Sequence, residues 1–102
     1  YIIAGYNTIT RELIRFLRER GIKVVVILEE DSKEVKRLLE GERVRYYVIG
    51  EPYKKSTLYL ANIKEARGLI TTSLDEAKNI SIIVTARLLR PERDFEIIGV
   101  AK

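Results

Sequence analysis

Cysteine, histidine, methionine and tryptophan are all absent from this 102-residue chain, and each absence removes a class of function. Without cysteine there is no disulfide framework, and without cysteine or histidine there is no conventional zinc site. A Ser-His-Asp triad and a Cys-His nucleophile are excluded on the same ground. Long apolar runs are missing too. The longest strand-like run, Val24 to Leu28, falls far short of the roughly 18 residues of a bilayer span, and no secretory leader pattern is present. Nor is there a block of one charge. The 19 Lys and Arg against 15 Asp and Glu give +4, but the signs interleave, as in Arg18-Glu19-Arg20 and Lys33-Glu34. Interleaved charge is the pattern of a solvated surface, so no nucleic acid is expected as a partner. What remains is one domain or part of one, with 46% hydrophobic residues to fill a modest core. The first residue is not Met and a strand begins at once, so a piece of a longer chain is expected.

What is present alternates. Short apolar runs and helical patterns follow one another, which argues for a parallel sheet covered by helices on both faces. Strands are predicted at Tyr1–Ala4, Lys23–Leu28, Tyr46–Ile49, Gly68–Thr71 and Phe95–Val100. The second is rich in Val and Ile without polar alternation, as a central strand buried on both faces should be. Right-handed crossovers among five strands suggest the order 3-2-1-4-5 of a doubly wound α/β sheet. Its crevice then lies above the first and fourth strands.

The first helix is predicted from about Thr8 to Arg20, with Ile9, Leu13, Phe16 and Leu17 as its apolar stripe and Gly21 just past its end. The second, about Lys33 to Glu40, takes Asp31 or Ser32 as N-cap and stops at Gly41. A third, about Lys55 to Asn62, turns Leu58 and Ala61 inward. The fourth begins at Ser73, where Ser73-Leu-Asp-Glu76 fits a capping box, and runs to about Leu89 before Pro91. Its Ile80, Ile82, Ile83, Val84, Ala86, Leu88 and Leu89 spread around more than one face. A helix on a sheet needs only one apolar stripe. The surplus points to a second buried face, against another subunit or a missing part of the chain; deep packing in a small domain is the alternative.

The opening segment, Tyr1 to Thr10, carries the chemistry. A buried strand, a glycine turn and a helix start are followed ~20 residues on by an acidic residue, Glu29, as in the phosphate-binding corner of a Rossmann-type βαβ unit. In the fingerprint G-x-G-x-x-G, Gly5 holds the first position, Asn7 the second and Thr10 the third. Gly5 can still make the tight turn. Asn7 adds a side chain where a pyrophosphate would approach, and Thr10 is expected to push the helix outward. Free N–H groups around Thr8, Ile9 and Thr10 can still attract an anion, and a single phosphate or an adenylate fits this corner better than a dinucleotide. The alternative is a capped helix with an empty turn. Glu29 is placed to accept from ribose hydroxyls and would repel a 2′-phosphate. With Glu30 and Glu51, it could form an acidic rim suited to adenosine or a divalent cation. Thr72 and Ser73 border the same crevice. No catalytic pair is identifiable by spacing.

Taken in order, several segments resemble one family. They are the corner with Gly5, Val24 to Asp31, the Gly50-Glu51-Pro52 turn, Leu58 to Ile63 leading to Ala66, Leu69 to Ser73, and Ala86 to Pro91. Together they resemble the N-terminal lobe of the RCK domain (regulator of K⁺ conductance, or TrkA-N), over essentially the whole chain. The resemblance implies a non-enzymatic, ligand-sensing domain on the cytoplasmic side of a potassium channel or transporter. It implies homo-oligomers, dimers or rings, here through the fourth helix, and attachment to a membrane pore. It also implies an adenine nucleotide (ATP, ADP, AMP or NAD), here at a corner where Asn7 and Thr10 stand in place of two glycines. Carried over by position, Gly5, Tyr6, Asn7, Thr8 and Ile9 are the phosphate turn and Glu29, with Glu30 beside it, the ribose carboxylate. Gly50 and Glu51 border the adenosine, and Thr72 and Ser73 the far side. The Ca²⁺ site of some channel members uses carboxylates where this chain has Thr72, Val100 and Lys102, so no metal site is expected. Measured against the family, this sequence is expected to lack the sixth strand, the crossover helix and the C-terminal lobe. An NAD-dependent oxidoreductase fragment and a ligand-free structural lobe are the competing readings.

Overall fold

A computed structural model describes residues 1–99. Its elements are β1 (Ile2–Ala4), α1 (Thr8–Glu19), β2 (Val25–Leu28), α2 (Lys33–Gly41), β3 (Tyr46–Ile49), α3 (Lys55–Leu60), β4 (Gly68–Thr71), α4 (Glu76–Leu89) and β5 (Glu96–Gly99). All neighbouring strands pair in parallel, in the order β3-β2-β1-β4-β5. This is the order expected from the sequence. The chain winds outward from β1 to β3, then returns to the other side of β1, which leaves a crevice above the carboxyl ends of β1 and β4. Val100, the last residue of the predicted fifth strand, lies outside the described residues.

Alternate strand residues feed two cores, because successive side chains point to opposite faces. Ile2, Ala4, Ile27 and Leu69 pack with Leu58, Ala61, Ile82, Ala86 and Phe95. Ile3, Val26, Leu28 and Ile70 pack with Ile14, Leu17, Leu39 and Val44. Each fully buried Val, Leu, Ile or Phe among them contributes about 1.5–3 kcal/mol by leaving water.

Three helix ends close the same way. After α1, Gly21 (φ +72°) sends its N–H to Arg18 O and Ile22 its N–H to Leu17 O. Arg43 (φ +60°) and Val44 repeat this after α2, as do Asn62 (φ +65°) and Ile63 after α3. These are Schellman closures, and each carries an apolar residue into the core just past the helix. The stop expected at Gly41 therefore falls at Arg43: Gly41 is still helical, and the left-handed position comes two residues later.

Other boundaries also move. Ser32, not Asp31, caps α2, its Oγ accepting the Val35 N–H at 3.3 Å. α4 begins at Glu76 with Asp75 as N-cap, its carboxylate accepting the Lys78 N–H at 3.2 Å. Ser73, expected in that role, instead accepts the Asp75 N–H in a short side-chain turn ahead of the helix. On α1 the buried residues are Thr10, Ile14 and Leu17, while Ile9 and Phe16 from the predicted stripe are exposed and Leu13 is half-buried. The phase of α1 is set by its N-terminus, where Thr10 is pinned beneath the β1 turn.

Candidate functional site at the β1–β4 crevice

The site is built around a turn that only glycine fits. Gly5 leaves β1 with φ +108°, and a Cβ there would meet Thr72 Oγ1 at 2.9 Å. Thr72 follows β4 and is fully buried beneath the turn. Its hydroxyl lies 2.9 Å from Thr10 Oγ1 and donates to Ala4 O at 3.3 Å. Thr10 therefore sits in the core by hydrogen bonding to Thr72, not as the spacer expected from its size. Asn7 completes the arrangement. It caps α1, accepting the Thr10 N–H at 3.1 Å, and its amide donates to Thr72 O at 2.9 Å. Its backbone is extended, so no unusual angle is required of it. The two non-glycine residues of the fingerprint thus form one network with Thr72. That network occupies the Thr10 N–H and, among the described residues, leaves those of Thr8 and Ile9 as the open donors of the first turn.

Above this network lies a cavity of about 370 Å³. Of the residues singled out in the sequence, Gly5, Tyr6, Asn7, Glu29, Glu30 and Ser73 line it, joined by Ser32, Val35, Pro52 and others. Thr8, Ile9, Gly50, Glu51 and Thr72 do not. Thr8 and Ile9 face outward, and Thr72 is sealed below. Gly50 packs so closely on Thr57 that a Cβ would approach its Oγ1 to 2.7 Å. From that turn it is Pro52 that reaches the cavity.

The acidic rim does not converge. Glu29 Oε2 accepts from Lys78 Nζ at 2.9 Å, Asp31 pairs with Lys36, and Glu51 pairs with Lys54 at 3.3 Å. The Tyr53 hydroxyl and then Lys54 hold the Glu51 carboxyl below its usual range, and the same bond raises the Tyr53 hydroxyl. Hydrogen bonding to Glu29 raises the Lys78 ammonium. Burial pushes the Tyr6 phenol up, and its oxygen has no partner among the described residues. No cluster of three acidic side chains positioned for a metal occurs among the described residues.

Two residues that the sequence did not flag organise the far wall. Asn79 accepts from the Thr71 hydroxyl at 2.6 Å and donates to Ser73 O at 2.8 Å, fastening α4 to the end of β4. Lys78 is the other. Its partner is Glu29, which follows β2 and lies 49 residues earlier in the chain.

The whole chain, residues 1–102, matches the TrkA-N domain. This chain belongs to the TrkA-N domain family. Two curated relatives of this TrkA-N chain come from Methanocaldococcus jannaschii. "Potassium channel protein 1" is 29% identical over 91 residues, and "Probable potassium channel protein 2" is 31% identical over 97. Each alignment covers 89% of this chain, which spans about a quarter of those relatives' length, 27% and 26%. Among solved structures, the TrkA-N domain of the Escherichia coli inner membrane protein ybaL superposes with a TM-score of 0.82 at 29% identity, covering 98% of this chain and 70% of that one. The GsuK channel bound to NAD superposes with a TM-score of 0.80 at 31% identity, covering 99% of this chain and 17% of that one. No helix among the described residues is long and apolar enough to cross a membrane.

Proposed function

We propose that this TrkA-N chain is the ligand-sensing lobe of a potassium channel or K⁺ transporter, on the cytoplasmic side of the membrane. It takes an adenine nucleotide in the β1–β4 crevice and passes occupancy to subunit assembly. The observation that carries this is the cavity itself, at the switch point of the sheet, with the Gly5 turn on one side and Glu29 on the other. The potassium-channel relatives and the nucleotide-bound GsuK structures, with NAD and with ADP, support it.

The corner favours a nucleoside or its monophosphate over a pyrophosphate. Asn7 fills the place through which a pyrophosphate approaches the backbone, and it already uses one of the helix N–H donors. The same crowding weighs against a dinucleotide-dependent enzyme. Assembly falls to α4, where Ile80, Val84 and Leu88 recur at a spacing of four and are 61%, 52% and 67% exposed. A second copy of the chain is the proposed partner.

A thermal-shift series with ATP, ADP, AMP, NAD⁺ and Ca²⁺ tests the reading. A nucleotide at about 100 times Kd adds about 2.7 kcal/mol to stability. A shift that Glu29→Ala abolishes supports the sensor. No shift with any nucleotide would leave a lobe that transmits force without binding.

A further inference from the structure

Glu29 and Lys78 are 49 residues apart, yet their side chains meet at 2.9 Å beside the crevice. Glu29 directly follows β2, whereas Lys78 is the third residue of α4. The backbone of Lys78 is independently fixed. Asp75 binds its N–H, and the next residue, Asn79, is tied to Thr71 and Ser73. The ammonium is thus delivered to Glu29 from an anchored turn. Asp75 adds to the negative field around it. Glu29 lines the cavity and Lys78 does not, so the lysine engages this carboxylate from outside.

A ribose offers two neighbouring hydroxyl donors to one carboxylate, which accepts best with both oxygens free. Here Oε2 already accepts a charge-assisted bond.

We propose that Lys78 is a resident competitor for Glu29, so that a nucleoside binds only by taking this carboxylate from α4. The inference rests on the nucleotide reading above. Lys78 is a specificity-setting residue outside the cavity, and it makes the crevice less receptive than its shape alone dictates. Both side chains are partly exposed, at 42% and 37%, so the competition is modest. An exposed ion pair of this kind changes affinity by about two- to five-fold. The pair is also screened by salt. A neutral ligand that displaces it should bind more tightly as ionic strength rises, which is the reverse of a phosphate contact.

The test is calorimetric titration of the chain and its Lys78→Met variant with adenosine and with AMP, at low and at 0.5 M salt. Methionine keeps the aliphatic stem and removes the charge. The expected result is adenosine binding about two- to five-fold tighter to Lys78→Met, with the gain from salt seen only in the unaltered chain. Lys78→Arg should behave as the unaltered chain, and thermal midpoints confirm that all three fold. Adenosine binding that is equal or weaker in Lys78→Met overturns the inference and leaves the nucleotide reading standing. Weaker AMP binding with unchanged adenosine binding would make Lys78 a phosphate contact, which also overturns it. Failure of both ligands with both chains removes the nucleotide reading and this inference with it.

Discussion

α1 and α4 lie on opposite faces of the sheet and use their apolar residues differently. α1 buries Thr10, Ile14 and Leu17 and shows water mainly charged side chains. Its exposed Phe16 is covered by the Arg20 guanidinium, 3.6 Å from the ring centroid. α4 buries Ile82 and Ala86 against the sheet, yet leaves Ile80, Val84 and Leu88 exposed on other faces. One helix spends its apolar surface inside the chain; the other keeps part of it outside. The lesson is that apolar content alone does not locate the core. Substitutions beneath α1 should therefore cost stability, and those on the outer face of α4 should cost association.

The largest effect is expected at Gly5. Gly5→Val forces a side chain into a positive-φ position already in contact with Thr72, and should cost about 3 kcal/mol in denaturant unfolding. A cost below about 1 kcal/mol would show that the corner can relax. Asn7→Ala removes the cap of α1 and the bond to Thr72 O, and should lower stability by about 1–2 kcal/mol. Thr72→Val keeps the shape but removes the hydroxyl that meets Thr10 Oγ1 and Ala4 O, leaving the Thr10 hydroxyl only Asn7 Oδ1 at 3.4 Å, for a loss of about 1–2 kcal/mol. Because Asn7, Thr10 and Thr72 share one network, the Asn7→Ala/Thr72→Val pair should be non-additive by at least about 0.5 kcal/mol in a double-mutant cycle. Full additivity would mean that the two ends of the network act separately.

On the other side, Leu88→Lys should change unfolding stability by no more than about 0.5 kcal/mol. It lies near the carboxyl end of α4, where a cation is tolerated by the helix dipole. Its effect should appear instead in sedimentation, as a shift from dimer or higher species to monomer. A monomeric parent chain at high concentration would break the comparison, leaving the exposed stripe without an assembly role.

Much of this was legible in the chain because it rests on local rules. Gly5 and Gly21 mark turns that need positive φ, and both hold it. The apolar runs gave the strands to within a residue or two, and crossover handedness gave their order. The spread of apolar residues around α4 was visible as a departure from a single stripe. The site was legible in outline only. Gly5, Asn7 and Glu29 were placed at the crevice, while Gly50 and Glu51 do not line it and Pro52 of the same turn does. The capping residue of α4 was missed because Ser73 and Asp75 both offer an oxygen to a free N–H, and the choice depends on how β4 delivers the chain.

The sequence by itself determined the alternation of strand and helix, the glycine turn and the excess apolar surface, since each depends on neighbours within a few turns. Only the tertiary structure decided what occupies the corner. Thr10 meets Thr72 across 62 residues, and Lys78 meets Glu29 across 49. Such pairs leave no spacing signal, because the parallel sheet, not the intervening chain, sets the distance between them.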